Sequence, residues 1–190
     1  KLILSYFYLK KNKKNFEEGF KHFDSRLQAD EFSKKNKYHH NILKKLNRNV
    51  KLENNNKILI VKEQGVGDEI LFSSMYKDLI INNYSNVKIE CDKRLLEIFK
   101  RSFDKNIFVP FGHYSSSLKH VQIFDNILYA GSLTKYFRKT KKDFQQKPYI
   151  KSKDQIDKKF SSILTNFDHK KKIGISWKSV FNIFGSLKSL

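Results

Sequence analysis

The amino-acid sequence predicts an α/β protein built on a doubly wound, all-parallel sheet, and three observations lead to this prediction. Short apolar runs rich in β-branched residues, which are typical of buried parallel strands, occupy residues 58–61, 87–91 and 107–109. Stretches with apolar residues at helical spacing separate these runs. Because strands that alternate with helices indicate a parallel sheet covered by helices, we expect a Rossmann-like arrangement.

Upstream of these strands the sequence predicts an α-helical hairpin at residues 1–28 and a polar linker at 29–56. The hairpin rests on apolar residues at helical spacing in 2–9 and in 16–27, with the polar residues 10–15 between them. The linker is rich in Lys and Asn and has few apolar residues. We therefore expect it to contribute little to a core.

The elements after the first strand continue the alternation. A helix is predicted whose inner face holds Phe72, Met75, Tyr76 and Leu79. Further predicted elements follow in chain order: a helix at 93–103, a Ser-rich loop at 112–120, a strand at 125–129, a helix that opens at Gly131 and Ser132, a helix at 154–167 and a strand at 172–176. Since the last strand begins a second unit, we expect the chain to be an internal fragment of a longer protein.

Composition narrows the class of protein. Apolar residues make up 39% of the 190 residues, which is too many for a disordered chain. No apolar run reaches the ~18 residues that a membrane-spanning helix needs. The single cysteine, Cys91, excludes a disulfide framework and fits a small core residue of a cytoplasmic protein, with peripheral attachment to a membrane as an alternative.

The charge is strongly positive, at +20. Such a charge favours nucleic acid or an anionic membrane as a partner. Yet the 39 basic residues include only five Arg, at positions 26, 48, 94, 101 and 138, and therefore 34 Lys. Because base recognition depends on the forked guanidinium group, we expect no specific nucleic-acid partner.

The turn EQGVGDE, at residues 63–69, is the most specific local feature. It lies between a predicted strand and a predicted helix, where ligands bind in open α/β sheets. Gly65 and Gly67 allow the backbone to turn tightly and to approach a ligand, and the first N–H groups of the helix can hold a phosphate. The alternative is an ordinary strand-to-helix turn in which Asp68 caps the helix.

Residues 57–110 resemble the N-terminal domain of bacterial sugar transferases that follow tetratricopeptide repeats and are related to ADP-heptose heptosyltransferases. The resemblance rests on KILIVKEQGVGDEILFSSMYKDL and, later, VKIECDKRLLEIFKRSF. The segments DNILYAGSLTKYFR, KPYI and KIGISWK follow in the family's order. NFEEGFKHFDSRL resembles the last repeat helix of the same proteins, although Lys14 stands where the repeat usually has Gly.

The resemblance implies the N-terminal half of a GT-B glycosyltransferase, with an acceptor-side domain at 57–168 and the start of the nucleotide-sugar-binding domain at 169–190. It also implies that Asp68 is the catalytic base and that Lys188 contacts the donor phosphate. The implied partners are a nucleotide-sugar and an acceptor that is a glycan, a lipid-linked glycan or a protein. No cofactor or metal ion is expected, because backbone N–H groups and a Lys can stabilise the leaving diphosphate.

Three further residues are candidates for the cleft. Glu69 follows Asp68, His113 lies in the loop after the third strand, and Ser132 either lines the cleft or caps a helix. The six histidines show no metal-ligand spacing. Two hypotheses compete with the transferase: a non-catalytic scaffold that binds protein partners through its repeat helices, and a basic nucleic-acid-binding module, which the scarcity of Arg disfavours.

Overall fold

The computed structural model describes residues 16–43, 46, 52, 56–82, 86–103, 106–144, 147–167, 170, 171 and 173. The chain forms two compact units, Lys1–Lys151 and Ser152–Leu190. Several predicted features lie outside the described residues: the first helix of the hairpin, nearly all of the strand at 172–176 and of the domain start at 169–190, and Lys188. Among the described helices, none is both long enough and apolar enough to cross a membrane.

In the part of the first unit that the structure describes, four parallel strands form the sheet, in the order β3-β2-β1-β4. Their bounds are β1 Ile58–Val61, β2 Val87–Cys91, β3 Phe108–Pro110 and β4 Asn126–Tyr129. The central strand β1 pairs with β2 on one side and with β4 on the other. The predicted α/β class with an all-parallel sheet is confirmed.

Helices flank the strands in the first unit. Their bounds are α1 Phe16–Phe23, α2 Asp30–Lys35, α3 His39–Leu43, α4 Val66–Ser73, α5 Tyr76–Ile81, α6 Lys93–Phe103, α7 Leu118–Val121 and α8 Thr134–Phe137. Short 3-10 helices occupy Asp24–Gln28, Ala130–Leu133 and Lys141–Asp143. The second unit contains α9, Asp154–Thr165, which agrees with the helix predicted at 154–167.

The helix predicted after β1 is divided into α4 and α5. Ser73 at the end of α4 donates its hydroxyl to the carbonyl of Ile70 at 2.7 Å. The carbonyl of Ser74 accepts a hydrogen bond from Arg138 Nη2 at 3.0 Å. Since hydroxyl groups that bond to nearby carbonyls compete with the helix, and Arg138 holds a carbonyl at the junction, these contacts account for the break.

Apolar side chains cover both faces of the sheet. One face carries Ile58, Ile60 and Ile89 and packs against α4, α5 and α6. The other face carries Leu59, Val61, Ile127 and Tyr129, and packs against Leu27, Phe32, Ile42, Val121 and Phe124. Cys91 is fully buried, so its predicted place in the core is confirmed.

Part of the predicted polar linker belongs to this second layer. Residues 29–56 include α2 and α3, which bury Phe32 and Ile42 against the sheet. Polar residues of the same segment form single hydrogen bonds to the rest of the first unit. Asn41 Nδ2 donates to the carbonyl of Ser115, and His39 Nδ1 bonds to Tyr129 Oη. The repeat-like hairpin and its boundary at residue 28 stay predictions.

Candidate functional site

The residues predicted for the site follow three strands whose carboxyl ends meet at one edge of the sheet. Asp68 and Glu69 follow β1, His113 follows β3, and Ser132 follows β4. This edge is where open α/β sheets bind ligands. Lys188, the predicted phosphate contact, lies outside the described residues.

The turn after β1 leads into α4, with Gly65 as its N-cap residue. The left-handed conformation in this turn belongs to Gln64, with φ 59°, whereas Gly65 has an extended φ of −93°. Asp68 Oδ2 accepts a hydrogen bond from the Gly65 N–H at 3.2 Å. Asp68 is half-buried, while Gln64, Gly65 and Gly67 are exposed. The carboxylate that was predicted to be catalytic therefore also caps its own helix.

Neither glycine of the turn is required by the fold. A Cβ atom at Gly67 would have no heavy atom within 4 Å, and one at Gly65 would lie at an ordinary 3.7 Å from Asp68 Oδ2. The backbone does not require glycine either, because Gln64, and not Gly65 or Gly67, has the positive φ. Glycine within a helix costs stability relative to alanine, so Gly67 leaves open backbone at the surface without benefit to the fold. Gly65 is the N-cap residue, where glycine is favoured over alanine but serine, asparagine and aspartate serve as well or better.

Glu69 is buried between α4 and the carboxyl ends of the strands. Its side chain is fully buried, Oε1 accepts from Lys62 Nζ at 2.9 Å, and Oε2 accepts from the Asp92 N–H at 2.9 Å. Burial raises the pKa of Glu69 above its usual value. Because Lys62 follows β1 and Asp92 follows β2, Glu69 joins α4 to the ends of both strands.

Asp92 is itself paired with an exposed arginine. Arg94 donates to its two carboxylate oxygens from Nε and from Nη2, each at 2.9 Å. These hydrogen bonds hold the pKa of Asp92 well below its usual range. The end of β2 therefore presents a guanidinium group that a carboxylate has already oriented.

His113 is exposed in the loop after β3, with its ring at 4.5 Å from that of Tyr114. A buried carboxylate from β2 holds this loop. Glu90 Oε1 accepts from the N–H groups of Tyr114 and Ser115 at 2.6 and 2.8 Å, and Oε2 accepts from Ser115 Oγ at 2.6 Å. The position of His113 at the sheet edge thus depends on Glu90, which is fully buried.

Ser132 lies within a 3-10 helix after β4, and its hydroxyl is part of a group of charged and polar residues that are buried or, for Lys135, half-buried. We call this group the crevice cluster; it comprises Asp24, Arg26, Glu63, Ser132 and Lys135. Ser132 Oγ donates to Asp24 Oδ1 at 2.6 Å and accepts from Arg26 Nη2 at 3.3 Å. Ser132 is 2% exposed, so its side chain lines the interior of this cluster.

Arg26 and Glu63 form the centre of the crevice cluster. Arg26 Nε and Nη2 donate to the two oxygens of Glu63 at 2.9 and 2.7 Å, and Arg26 Nη1 donates to Asp24 at 3.0 Å. Lys135 Nζ lies 2.7 Å from Asp24, so two cations balance two carboxylates. The Gly131 N–H also donates to Glu63.

The crevice cluster occupies the topological switch point of the sheet, the crevice in which many doubly wound proteins bind their ligands. The chain crosses from β1 to β2 on one side and reaches β4 on the other, so the crevice between the ends of β1 and β4 is the switch point. Arg26 and Glu63 fill it, and a Cβ atom at Gly131 would come within 2.8 Å of Arg26 Nη2. Beside it, Gln64, Gly65 and Gly67 of the turn are exposed, as are Arg94 and His113 after β2 and β3.

Sequence reasoning did not single out Arg26, Glu63 or Glu90 as parts of the site. One signal was present, because Arg26 is one of only five Arg in a chain that otherwise uses Lys. Among the described residues, no three His, Cys, Asp or Glu side chains come together as a metal ion would require. A comparison of the chain with protein-family models, curated proteins and solved structures found no match.

Proposed function

We propose that the chain is the acceptor-side half of a GT-B glycosyltransferase, which transfers a sugar from a nucleotide-sugar to an acceptor hydroxyl group. The observation that carries the proposal is the turn after β1. Gly65 and Gly67 leave exposed backbone that the fold does not require, next to the half-buried carboxylate of Asp68. Open backbone beside a carboxylate at the carboxyl end of a central parallel strand suits a ligand-binding site.

Asp68 has the role of general base in this proposal. It takes the proton of the acceptor hydroxyl while that oxygen forms a bond to the anomeric carbon of the donor sugar. The bond between the anomeric carbon and the diphosphate oxygen breaks, and its electron pair leaves with the nucleoside diphosphate. Within the described part of the chain, the Gly65 N–H is the one hydrogen-bond donor to the carboxylate, so an acceptor hydroxyl has access to it.

The donor diphosphate is the partner that we assign to the open backbone and to Lys188. N–H groups at the start of α4 can stabilise the charge that develops on the leaving group. The reaction then needs no metal ion. The acceptor is a glycan, a lipid-linked glycan or a protein, and a cytoplasmic location gives access to nucleotide-sugars.

The test is the release of nucleoside diphosphate from a panel of nucleotide-sugars by the complete reading frame that contains this chain. Asp68→Asn should lower turnover by ~10²- to 10⁴-fold with the fold intact. Asp125→Asn is the matched control. Asp125 also accepts a backbone N–H, from Lys57 at 2.8 Å, but it lies just before β4, at the opposite edge of the sheet. Equal turnover of both variants would contradict the role of Asp68.

The second candidate is a non-catalytic scaffold that binds a protein through the repeat-like helices. The observation in its favour is the hydrogen bond from the Gly65 N–H to Asp68, since an ordinary helix cap makes the same contact. The scaffold predicts that Asp68→Asn changes stability alone and that no nucleotide-sugar is consumed. Donor consumption that depends on Asp68 would exclude it.

A further inference from the structure

Two buried carboxylates flank the turn that carries Asp68, and each is held by a cation. Glu69, on one side, is bound by Lys62 and by the Asp92 N–H. Glu63, on the other side, is bound by Arg26, which lies 37 residues earlier in the chain. Both carboxylates have no exposed surface. One of the two cations that hold these carboxylates therefore comes from the helical segment that precedes the sheet.

The guanidinium group of Arg26 is fully used. Its five N–H groups supply two bonds to Glu63, one to Asp24, one to Ser132 and one, at 3.1 Å, to the carbonyl of Phe23. The group also lies 4.1 Å from the centre of the Phe23 ring. Lysine could not reproduce this geometry, because it has three donors on a single nitrogen and no planar fork.

We propose that Arg26 is a positioning residue for the turn at residues 64–68. It fixes Glu63 in the switch-point crevice, and Glu63 in turn fixes the start of the turn, where Gln64 is left-handed. The catalytic consequence of this positioning rests on the proposed function; the geometric claim does not. Residues 16–28 then belong to the site as one of its walls, in addition to any repeat-like role.

Amide hydrogen exchange by NMR tests the geometric claim. The Glu69 N–H bonds to the Gly65 carbonyl at 3.1 Å and reports on the turn, whereas the Ile89 N–H bonds to the Ile107 carbonyl at 2.9 Å and reports on the sheet. In Arg26→Met we expect exchange at Glu69 to accelerate at least about tenfold more than exchange at Ile89. Equal acceleration at both amides would show a general structural role and would overturn the proposal.

Two further variants keep the test decisive. Arg26→Lys keeps the charge and should show the same local pattern in a weaker form, so it carries the test if Arg26→Met does not fold. Leu27→Ala is the matched control, because Leu27 is buried next to Arg26 in the core and belongs to a different set of contacts. It should lower stability without accelerating exchange at Glu69 more than exchange at Ile89; a preferential acceleration at Glu69 would count against the proposal.

The catalytic consequence of this positioning is tested by a separate experiment on enzyme activity. In the complete reading frame with an identified donor, Arg26→Lys should lower kcat and raise the KM of the donor, because it displaces the turn that carries both Asp68 and the backbone N–H groups assigned to the diphosphate. Local exchange that moves without a donor being consumed would refute the proposed function and leave the positioning role standing. An unchanged kcat in an active enzyme would overturn the catalytic consequence of the positioning.

Discussion

The substitution of alanine for glycine at two positions of the same sheet edge is expected to change stability in opposite directions. Gly67 lies in the first turn of α4, is exposed, and has no heavy atom within 4 Å of the place that a Cβ atom would take. Gly131 lies after β4, where a Cβ atom would stand 2.5 Å from Glu63 Oε1 and 3.0 Å from Phe72 Cζ. One site is open and the other is closed by side chains.

The magnitudes follow from these surroundings. Gly67→Ala should stabilise the fold by about 0.5 kcal/mol, since alanine loses less backbone entropy in a helix and meets no obstacle. Gly131→Ala should destabilise it by about 1–3 kcal/mol, because the added methyl group displaces Glu63 from Arg26 in a packed interior. With a urea m-value of about 2 kcal/mol/M, the midpoints should move up by about 0.25 M and down by about 0.5–1.5 M.

Urea unfolding followed by far-ultraviolet circular dichroism measures both changes. If Gly67→Ala lowers the midpoint, the space above the turn is not open and the argument for a ligand there is refuted. The same variant should bind or turn over the nucleotide-sugar less well in the complete reading frame, because the methyl group occupies the surface that the donor approaches. A protein that gains stability and keeps full turnover would show that Gly67 has no functional role.

Two other predictions concern buried titratable groups. Glu90→Gln should lower the free energy of unfolding by no more than about 1 kcal/mol, because the new amide oxygen can accept both N–H bonds and its NH₂ group can donate to Ser115. Glu90→Ala leaves these groups without a partner and should lower it by about 2–4 kcal/mol. Urea midpoints compare the two variants. Burial and the neighbouring His40 lower the pKa of His39. His39 thus contributes stability above its unfolded pKa of about 6.5, and this contribution is lost as the pH falls through the folded value. Unfolding curves at pH 7.5 and 5.5 should differ more in the wild type than in His39→Gln, and equal pH dependence would contradict the assignment.

The strands were predictable because a parallel strand that is buried on both faces has a continuous run of apolar residues in its sequence. Residues 58–61 and 87–91 were predicted as strands, and β1 and β2 have these bounds. The layer formed by α2 and α3 was not predicted, because few apolar residues build it. Phe32 and Ile42 provide its buried apolar contacts, while His39 and Asn41 are held by hydrogen bonds whose partners, Tyr129 and Ser115, are distant in sequence.

For the candidate site, the placement of the turn between a strand and a helix was predictable, and the contacts of its side chains were not. The turn and Asp68 follow from the order of strand, glycines and helix, whereas the burial of Glu63 and Glu69 depends on cations that folding brings to them. The use of arginine in place of lysine was a partial indication of these contacts. The described arginines, Arg26, Arg94, Arg101 and Arg138, all donate more than one hydrogen bond, and two of them are at most 5% exposed. In a lysine-rich chain, arginine thus marks positions that require a fork.

At the carboxyl edge of the sheet, the crevice is filled by side chains whereas the turn after β1 is exposed. This difference indicates which experimental results would contradict the proposed function. At the switch point, Arg26 pairs with Glu63 and leaves no guanidinium donor for a ligand. In the proposed function the donor therefore binds at the turn, at Gly65 and Gly67 beside Asp68, and outside the crevice. If a donor is found whose binding is insensitive to substitution in the turn but sensitive to Arg26→Lys, the crevice and not the turn is the binding site. Gly67→Ala and Arg26→Lys, measured with the same donor, separate these two geometries.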